Sequence, residues 1–129
     1  MKILVIDDEP DIQTYLTTIF QEHGHETVVA SDGNEGLKQA LAQQPDLITL
    51  DILMPDKSGI SLYRELRKTE ALSGIPVVII TGVATVAPAF RDFERFIKSR
   101  RLRGPEGYLE KPIVPQELVA LVNKLASQG

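Results

Sequence analysis

The chain has 129 residues, a formal net charge of −4, 43% hydrophobic residues and 25% charged residues, which is the composition of an ordinary globular domain. This length suits one domain spanning 1–129, and the absence of cysteine excludes thiolate zinc sites, redox pairs and disulfides. The negative charge argues against binding to nucleic acid, and no apolar run reaches the roughly 18 residues of a membrane span. We therefore expect a cytoplasmic protein that binds neither nucleic acid nor a membrane.

Short apolar runs rich in β-branched residues alternate along the chain with segments of helical spacing. Each short run predicts a strand buried on both faces, and each spaced segment predicts an amphipathic helix. Strand followed by helix, five times, predicts a doubly wound α/β domain, a five-stranded parallel sheet with helices on both faces. The predicted strands are Ile3–Ile6, Thr27–Ala30, Leu47–Leu50, Val77–Ile80 and a weaker Gly107–Leu109.

The predicted helices have recognisable starts. Pro10 stands where a first helical residue is expected, and Pro115 opens the last helix in the same way. Either Asp32 or Ser31 can cap the second helix.

Chemically capable side chains follow the predicted strands at their carboxyl ends, the edge where doubly wound domains bind ligands. Asp7 and Asp8 follow the first strand, Asp51 the third, Thr81 the fourth, and Lys111 comes just past the fifth. The first and third strands are neighbours in the flavodoxin-like strand order, which would gather three carboxylates in one crevice.

Three carboxylates this close repel one another unless a cation joins them, since two charges about 4 Å apart cost about 4 kcal/mol at an effective dielectric near 20. Ligation by oxygen alone favours Mg²⁺ or Mn²⁺, and Mg²⁺ is usually held together with phosphate oxygens. The pattern therefore indicates a phosphoryl site. Asp51 can serve as the nucleophile, Thr81 can donate a hydrogen bond, and Lys111 can pair with a phosphoryl oxygen.

Each of these features also has an ordinary structural explanation when it is taken alone. Acidic residues from Asp7 to Glu9 favour the positive end of a helix dipole. The residues after Asp51, Thr81 and Lys111 are common in turns and loops. Their joint placement at one edge of one sheet favours the functional interpretation.

The whole chain resembles the response-regulator receiver domains of two-component signalling, which have the CheY-like (βα)5 fold. The resemblance lies in Asp7-Asp8, in Asp51-Ile52-Leu53-Met54-Pro55-Asp56 with Gly59 after it, in Thr81-Gly82, and in Tyr108-Leu109-Glu110-Lys111-Pro112. It implies that Asp51 accepts a phosphoryl group from a sensor histidine kinase or a histidine phosphotransfer protein.

The resemblance also implies roles for residues around Asp51. Asp8 would bind Mg²⁺ directly, Asp7 through water, and Leu53 through its carbonyl oxygen. Thr81 and Lys111 would contact the phosphoryl group, the Lys111-Pro112 peptide would be cis, and Tyr108 would be the aromatic switch residue that turns inward as Thr81 moves.

The segment between Thr81 and Lys111 is longer than the resemblance predicts, at thirty positions (111 − 81). A solvated basic helix face is the ordinary interpretation; the alternative is a surface that docks an acidic partner or a second copy of the domain. The fourth helix, fifth strand and fifth helix form the output face in the family and would pair the two copies. The extra length, from about Phe90 to Arg103, contains six of the fourteen basic residues: Arg91, Arg95, Lys98, Arg100, Arg101 and Arg103.

Two apolar residues predict a long-lived phosphorylated form. Leu53 and Val83 stand two positions after Asp51 and Thr81, and neither can orient an attacking water. We therefore expect a signalling module that is not an enzyme and dephosphorylates itself slowly.

Three other functions remain as alternatives. A phosphohydrolase of the haloacid-dehalogenase type would carry an Asp-x-Asp pattern after the first strand, which Asp7-Asp8 does not match. A receiver relative that acts without phosphate stays open. A nucleotide or flavin domain lacks its glycine-rich phosphate loop. The sequence leaves open the kinase, the output and whether the domain stands alone or belongs to a longer protein.

Overall fold

The structure is a computed structural model that describes residues 1–52, 59–82 and 86–128, without the side chains of residue 81, residues 86–92 and residue 128. Five strands and five helices alternate strictly within these ranges, as the sequence predicts. In chain order they are β1 Lys2–Ile6, α1 Pro10–Glu22, β2 Glu26–Ala30, α2 Gly33–Gln43, β3 Leu47–Asp51, α3 Gly59–Lys68, β4 Val77–Gly82, α4 Val86–Arg100, β5 Gly107–Lys111 and α5 Pro115–Gln128.

All five strands join one parallel sheet in the order β2-β1-β3-β4-β5. The strand order reverses next to β1, where the chain moves from β2 on one side to β3 on the other. Ile6 pairs with Leu50, so the carboxyl ends of β1 and β3 lie side by side. The prediction of a doubly wound sheet is confirmed, and the crevice at its carboxyl edge is the place where such folds bind ligands.

The helices begin where the sequence indicates. Pro10 is the first residue of α1, where its missing N–H costs no hydrogen bond, and Pro115 opens α5. Of the two candidate caps of α2, the structure selects Asp32, whose Oδ1 accepts a hydrogen bond from the Glu35 backbone N–H at 2.8 Å.

The core forms two layers, one on each face of the sheet. Alternate residues of β1 serve both layers: Leu4 and Ile6 pack towards α2, α3 and α4, whereas Ile3 and Val5 pack towards α1 and α5. All four side chains are at most 1% exposed. Strands buried on both faces explain why the sequence shows continuous apolar runs there.

The backbone at Gly59 packs very closely against the residues at the end of β3. A Cβ at this position would lie 2.3 Å from the Ile52 Cα and 2.6 Å from the Asp51 carbonyl oxygen. Because these are backbone atoms, any side chain would force the main chain apart. Glycine here therefore lets α3 begin directly beside Asp51.

The strand β5 is longer than its weak apolar signal predicted, and it extends to Lys111. Its residues alternate between half-buried and exposed because it forms an edge of the sheet. Lys111 consequently ends the strand instead of following it. Among the described residues, no helix is both long enough and apolar enough to cross a membrane.

Candidate functional site

Two buried carboxylates meet at the carboxyl edge of the sheet. Asp7 directly follows β1 and is 1% exposed, while Asp51 ends β3 and is 4% exposed. The Asp7 backbone N–H donates to the Ala30 carbonyl at 3.1 Å, and its Oδ1 accepts from the Glu9 N–H at 2.9 Å. Backbone hydrogen bonds thus hold the Asp7 side chain towards Asp51.

Lys111 brings a positive charge to these carboxylates from the edge strand. Its Nζ lies 3.3 Å from Asp51 Oδ2, 3.3 Å from Asp7 Oδ2 and 3.1 Å from Glu9 Oε1. Burial lowers the pKa of Lys111, but the charges of Asp51 and Asp7 outweigh burial and raise that pKa above its usual value. The lysine is therefore held in its charged form.

Four acidic side chains can offer oxygen ligands to one cation. Asp7, Asp8, Glu9 and Asp51 each place an oxygen so that all four lie within 4.8 Å of one another. Asp7 Oδ2 is buried and accepts no hydrogen bond within the described part of the chain, although Lys111 lies near it. A hard divalent cation such as Mg²⁺ fits this set, because it would bind the unsatisfied oxygen and neutralise the cluster.

Burial makes the Asp7 carboxyl hard to ionise. Desolvation, together with the charge of Asp51, raises the pKa of Asp7 from its usual 3.8 to about 6, against the lowering effects of the Glu9 N–H and Lys111. The folded domain therefore binds this proton more tightly than the unfolded chain does. The resulting stability is complete below pH 3.8 and is lost as the pH rises to about 6.

Asp7→Asn is accordingly expected to stabilise the metal-free domain at high pH. Asparagine stays neutral, so the variant should gain about 1–3 kcal/mol over the wild type at pH 8 and nothing at pH 4. Urea unfolding in the presence of a chelator measures this difference. Millimolar Mg²⁺ should narrow the gap at pH 8, because it stabilises the ionised wild type.

Asp11→Asn provides the matched control, since Asp11 is an exposed carboxylate in the first turn of α1. It should change stability by less than about 0.5 kcal/mol at either pH. An Asp7→Asn gain of the same size at pH 4 and pH 8 would contradict the raised pKa of Asp7.

The structure brings together most of the site residues predicted from the sequence. Asp7, Asp8, Asp51 and Lys111 lie in one cluster. The Lys111-Pro112 peptide is cis.

Of the other three predicted positions, the structure describes Tyr108 fully, Thr81 in part and Leu53 not at all. Thr81 pairs with Glu110 in the sheet, but its side chain lies outside the described atoms, and Leu53 lies outside the described residues altogether. Tyr108 lies on β5 with 42% of its surface exposed.

Glu9 was not among the predicted site residues. Its carboxylate lies closer to Lys111 Nζ than either Asp7 or Asp51 does. The sequence signal was its place directly after Asp7-Asp8, which a favourable helix dipole explains equally well.

Sequence comparisons match the chain to known proteins over nearly its whole length. The family described as "Response regulator receiver domain" matches residues 3–123. The protein PilH of Pseudomonas aeruginosa is 32% identical over 95% of this chain and 94% of its own length. The alkaline phosphatase synthesis transcriptional regulatory protein PhoP of Bacillus subtilis is 36% identical over 96% of this chain, which spans only 48% of PhoP.

Solved structures share the fold. The chemotaxis protein CheY4 of Vibrio cholerae superposes with a TM-score of 0.81 at 26% identity, over 96% of this chain and 97% of CheY4. The receiver domain of the Francisella response regulator 1452 gives a TM-score of 0.80 at 35% identity, over 98% of this chain and 97% of that one. The strand order, the acidic cluster and these matches agree, and the chain belongs to the response regulator receiver domain family of two-component systems.

Proposed function

We propose that this domain is a Mg²⁺-dependent phosphoacceptor switch. In this proposal Asp51 takes a phosphoryl group from a phosphohistidine of a sensor kinase or a histidine phosphotransfer protein. The observation that carries the proposal is the buried Asp51 carboxylate, placed beside Asp7 with the Lys111 ammonium 3.3 Å from its Oδ2. Membership of the receiver family supports the same function.

The transfer itself needs few groups. An Asp51 oxygen attacks phosphorus while the bond from phosphorus to the donor imidazole nitrogen breaks, and the electron pair returns to that nitrogen. Asp7, Asp8 and Asp51 would hold Mg²⁺, which supplies charge neutralisation at the transferred oxygens. Lys111 then releases its contact with the Asp51 carboxylate and pairs with the phosphoryl group.

The switch would act through β4 and β5. Thr81 is the last residue but one of β4 and pairs with Glu110 of β5, the strand that carries both Tyr108 and Lys111. In the proposal Thr81 moves towards the phosphoryl group and Tyr108, now 42% exposed, turns inward to fill the space. The face formed by α4, β5 and α5 would thereby change for an output partner or a second copy of the domain.

An apolar surface beside the site could bind the protein that donates the phosphoryl group. Ile12 and Tyr15 of α1, with Pro112 and Ile113 after β5, line an open pocket of about 410 Å³. Tyr15 is 40% exposed, and its hydroxyl donates to the Ile113 carbonyl at 3.0 Å, which fixes the ring at the rim. A helix of the donor could cover this surface while it presents its phosphohistidine to Asp51.

The phosphorylated form is proposed to be long-lived. Leu53 and Val83, which fall outside the described residues, offer no polar group that could orient a water for attack on the phosphoryl group. Dephosphorylation of the domain alone should accordingly be slow, and the domain's only chemistry would be on itself.

The proposed function is tested by transfer of labelled phosphate from a phosphorylated histidine phosphotransfer protein. We expect label on the wild type and none on Asp51→Asn. The label should persist at least about tenfold longer than on a Leu53→Asn, Val83→Glu double variant, because those side chains can orient water. Faster decay on the wild type would contradict the lifetime argument. No label on the wild type would favour an interaction module that acts without phosphate.

A further inference from the structure

The end of α4 carries three exposed cations that have no carboxylate partner in the described structure. Arg95, Lys98 and Arg101 follow one another at intervals of three residues, which places them along one side of the helix and its exit. No ion pair joins any of them to the described residues. We call these three residues the α4 exit patch.

The neighbouring cations are engaged within the domain, in contrast to the patch. Arg103 pairs with Glu106 at 3.0 Å, and the Arg100 guanidinium lies 5.6 Å from the centre of the Phe96 ring. Like charges that lie about one turn apart repel one another. Exposed Glu94 lies one turn before Lys98 on α4, but no ion pair joins it to the patch in the described structure. The α4 exit patch is therefore a local excess of positive charge on a chain whose net charge is −4.

Arg101 stands in a backbone conformation that favours glycine. Its φ is +54°, the Leu102 N–H donates to the Ile97 carbonyl at 3.0 Å, and the Arg101 N–H donates to the Lys98 carbonyl at 3.2 Å. These bonds form a Schellman motif, whose left-handed position is usually glycine because a Cβ is strained there.

The ordinary explanation of the basic residues does not account for Arg101. Cations in the last turn of a helix stabilise its dipole, and Lys98 and Arg100 already lie in that turn. A further arginine at the left-handed position adds strain that glycine would avoid. Such strain motivates a functional hypothesis for a side chain without establishing one, since the uncharged Gln44 has the same left-handed conformation at the end of α2.

The α4 exit patch lies at the end of the sheet opposite to Asp51. The helix α4 starts after the carboxyl end of β4 and spans 15 residues, so its last turn is about 20 Å away at the amino edge, where β5 begins. The Arg67 guanidinium donates a hydrogen bond to the Gly104 carbonyl at 3.1 Å, and the Tyr63 hydroxyl donates to the Arg103 carbonyl. The backbone after the patch is thus anchored to α3, away from the phosphoacceptor.

We propose that the α4 exit patch docks an acidic segment of a partner protein, and that it does so whether or not Asp51 is phosphorylated. The independence from phosphorylation rests on the proposed function, whereas the docking itself does not. A protein segment fits better than nucleic acid, because three free cations neutralise a short acidic stretch, whereas nucleic-acid binders typically engage about six to ten phosphates. The negative charge of the rest of the domain also repels a long polyanion.

Fluorescence anisotropy tests the docking with a labelled peptide in which glutamate alternates with alanine. The unphosphorylated wild type should bind it, and the double variant Lys98→Glu, Arg101→Glu should bind about tenfold more weakly. A matched double variant, Lys38→Glu, Lys124→Glu, makes the same change in net charge at exposed lysines of α2 and α5 and should lose less than about twofold.

Three outcomes would overturn the docking proposal. They are equal losses in the two double variants, equal binding of a peptide with glutamine in place of glutamate, and tighter binding of single-stranded oligothymidylate than of the acidic peptide. Loading the protein with acetyl phosphate and Mg²⁺ should leave the peptide affinity within about twofold, and a larger change would overturn independence from phosphorylation.

The strain at Arg101 gives a separate readout. Arg101→Gly should raise Tm by about 3 °C and weaken peptide binding, since it removes both the strained Cβ and the charge. Gln44, at the left-handed end of α2 with φ +46°, offers the control. Gln44→Gly should raise Tm similarly without changing peptide affinity. An Arg101→Gly variant that is no more stable than the wild type would remove the argument from strain.

Discussion

Arg67→Met is expected to destabilise the folded domain by about 3–5 kcal/mol, although Arg67 lies far from the phosphoacceptor. Its guanidinium is buried and forms two hydrogen bonds to Glu106, at 2.6 Å and 2.8 Å. The Nε donates to the Tyr63 hydroxyl at 2.9 Å. Methionine can fill the volume but donates no hydrogen bond, so Glu106 keeps only Arg103 and the Val77 N–H as donors and several carbonyl oxygens lose their contact with Arg67.

The same guanidinium forms hydrogen bonds with the segment that precedes β4 and with the segment that precedes β5. It donates to the Ser73 and Ile75 carbonyls in the connection before β4, at 3.3 Å and 3.0 Å, and to the Gly104 carbonyl before β5 at 3.1 Å. Losing one residue therefore loosens the amino ends of both strands at once.

Urea unfolding of Arg67→Met measures this loss, and Arg64→Met is the matched control on the same helix. Among the residues that the structure describes, the Arg64 Nε has no hydrogen-bond partner, so its replacement should cost less than about 1 kcal/mol. Glu106→Gln should fall between the two variants, because an amide oxygen can still accept from Arg67 and from the Val77 N–H. Equal losses for Arg67→Met and Arg64→Met would contradict the role of the network.

Lys111→Met is expected to destabilise the metal-free domain by about 2–3 kcal/mol at pH 8. Lys111 is the cation that faces Asp7 and Asp51, and its side chain is 16% exposed. Without it the two carboxylates repel each other in a region of low dielectric. Millimolar Mg²⁺ should restore most of the lost stability and bind the variant more tightly than the wild type, because the metal would take over the role of the ammonium group.

Thermal unfolding with a chelator and with Mg²⁺ separates the charge from the packing of the lysine stem. Lys111→Arg keeps the charge and should retain most of the wild-type stability. Lys124→Met replaces an exposed lysine of α5 and should change stability by less than about 0.5 kcal/mol. A Lys111→Met loss that is the same with and without Mg²⁺ would show that packing, not charge, decides the effect.

The sequence predicts the fold because the strands of a doubly wound sheet are buried on both faces. The run from Ile3 to Ile6 in β1 is continuously apolar, and the run from Leu47 to Leu50 in β3 is interrupted only by Thr49, so this signal is hard to confuse with an amphipathic helix. The edge strand β5 gave a weaker signal, since its exposed positions admit Tyr108 and Glu110. Its end at Lys111 could be established only from pairing with β4.

The candidate site was predictable to the extent that topology decides it. The parallel register of β1 and β3 brings Asp7 next to Asp51, and a strand-by-strand prediction captures this. The contact of Glu9 with Lys111 depends on how the chain turns into α1, which a residue pattern does not specify.

The Arg67 network was not predictable from the sequence. An arginine in the last turn of a helix normally indicates a solvated side chain near the negative end of the dipole. Its acidic partner Glu106 lies 39 residues further along the chain, in a connection without periodic structure. Only the folded arrangement of α3 and the β5 connection brings the two charges together.

Intact mass after incubation with acetyl phosphate tests the central claim most directly, and it suits a chain that contains no tryptophan for a fluorescence readout. We expect a mass increase of one phosphoryl group that requires Mg²⁺ and disappears in Asp51→Asn. No adduct on the wild type with Mg²⁺, or an adduct that persists in Asp51→Asn, would contradict the assignment of Asp51 as a Mg²⁺-dependent phosphoacceptor.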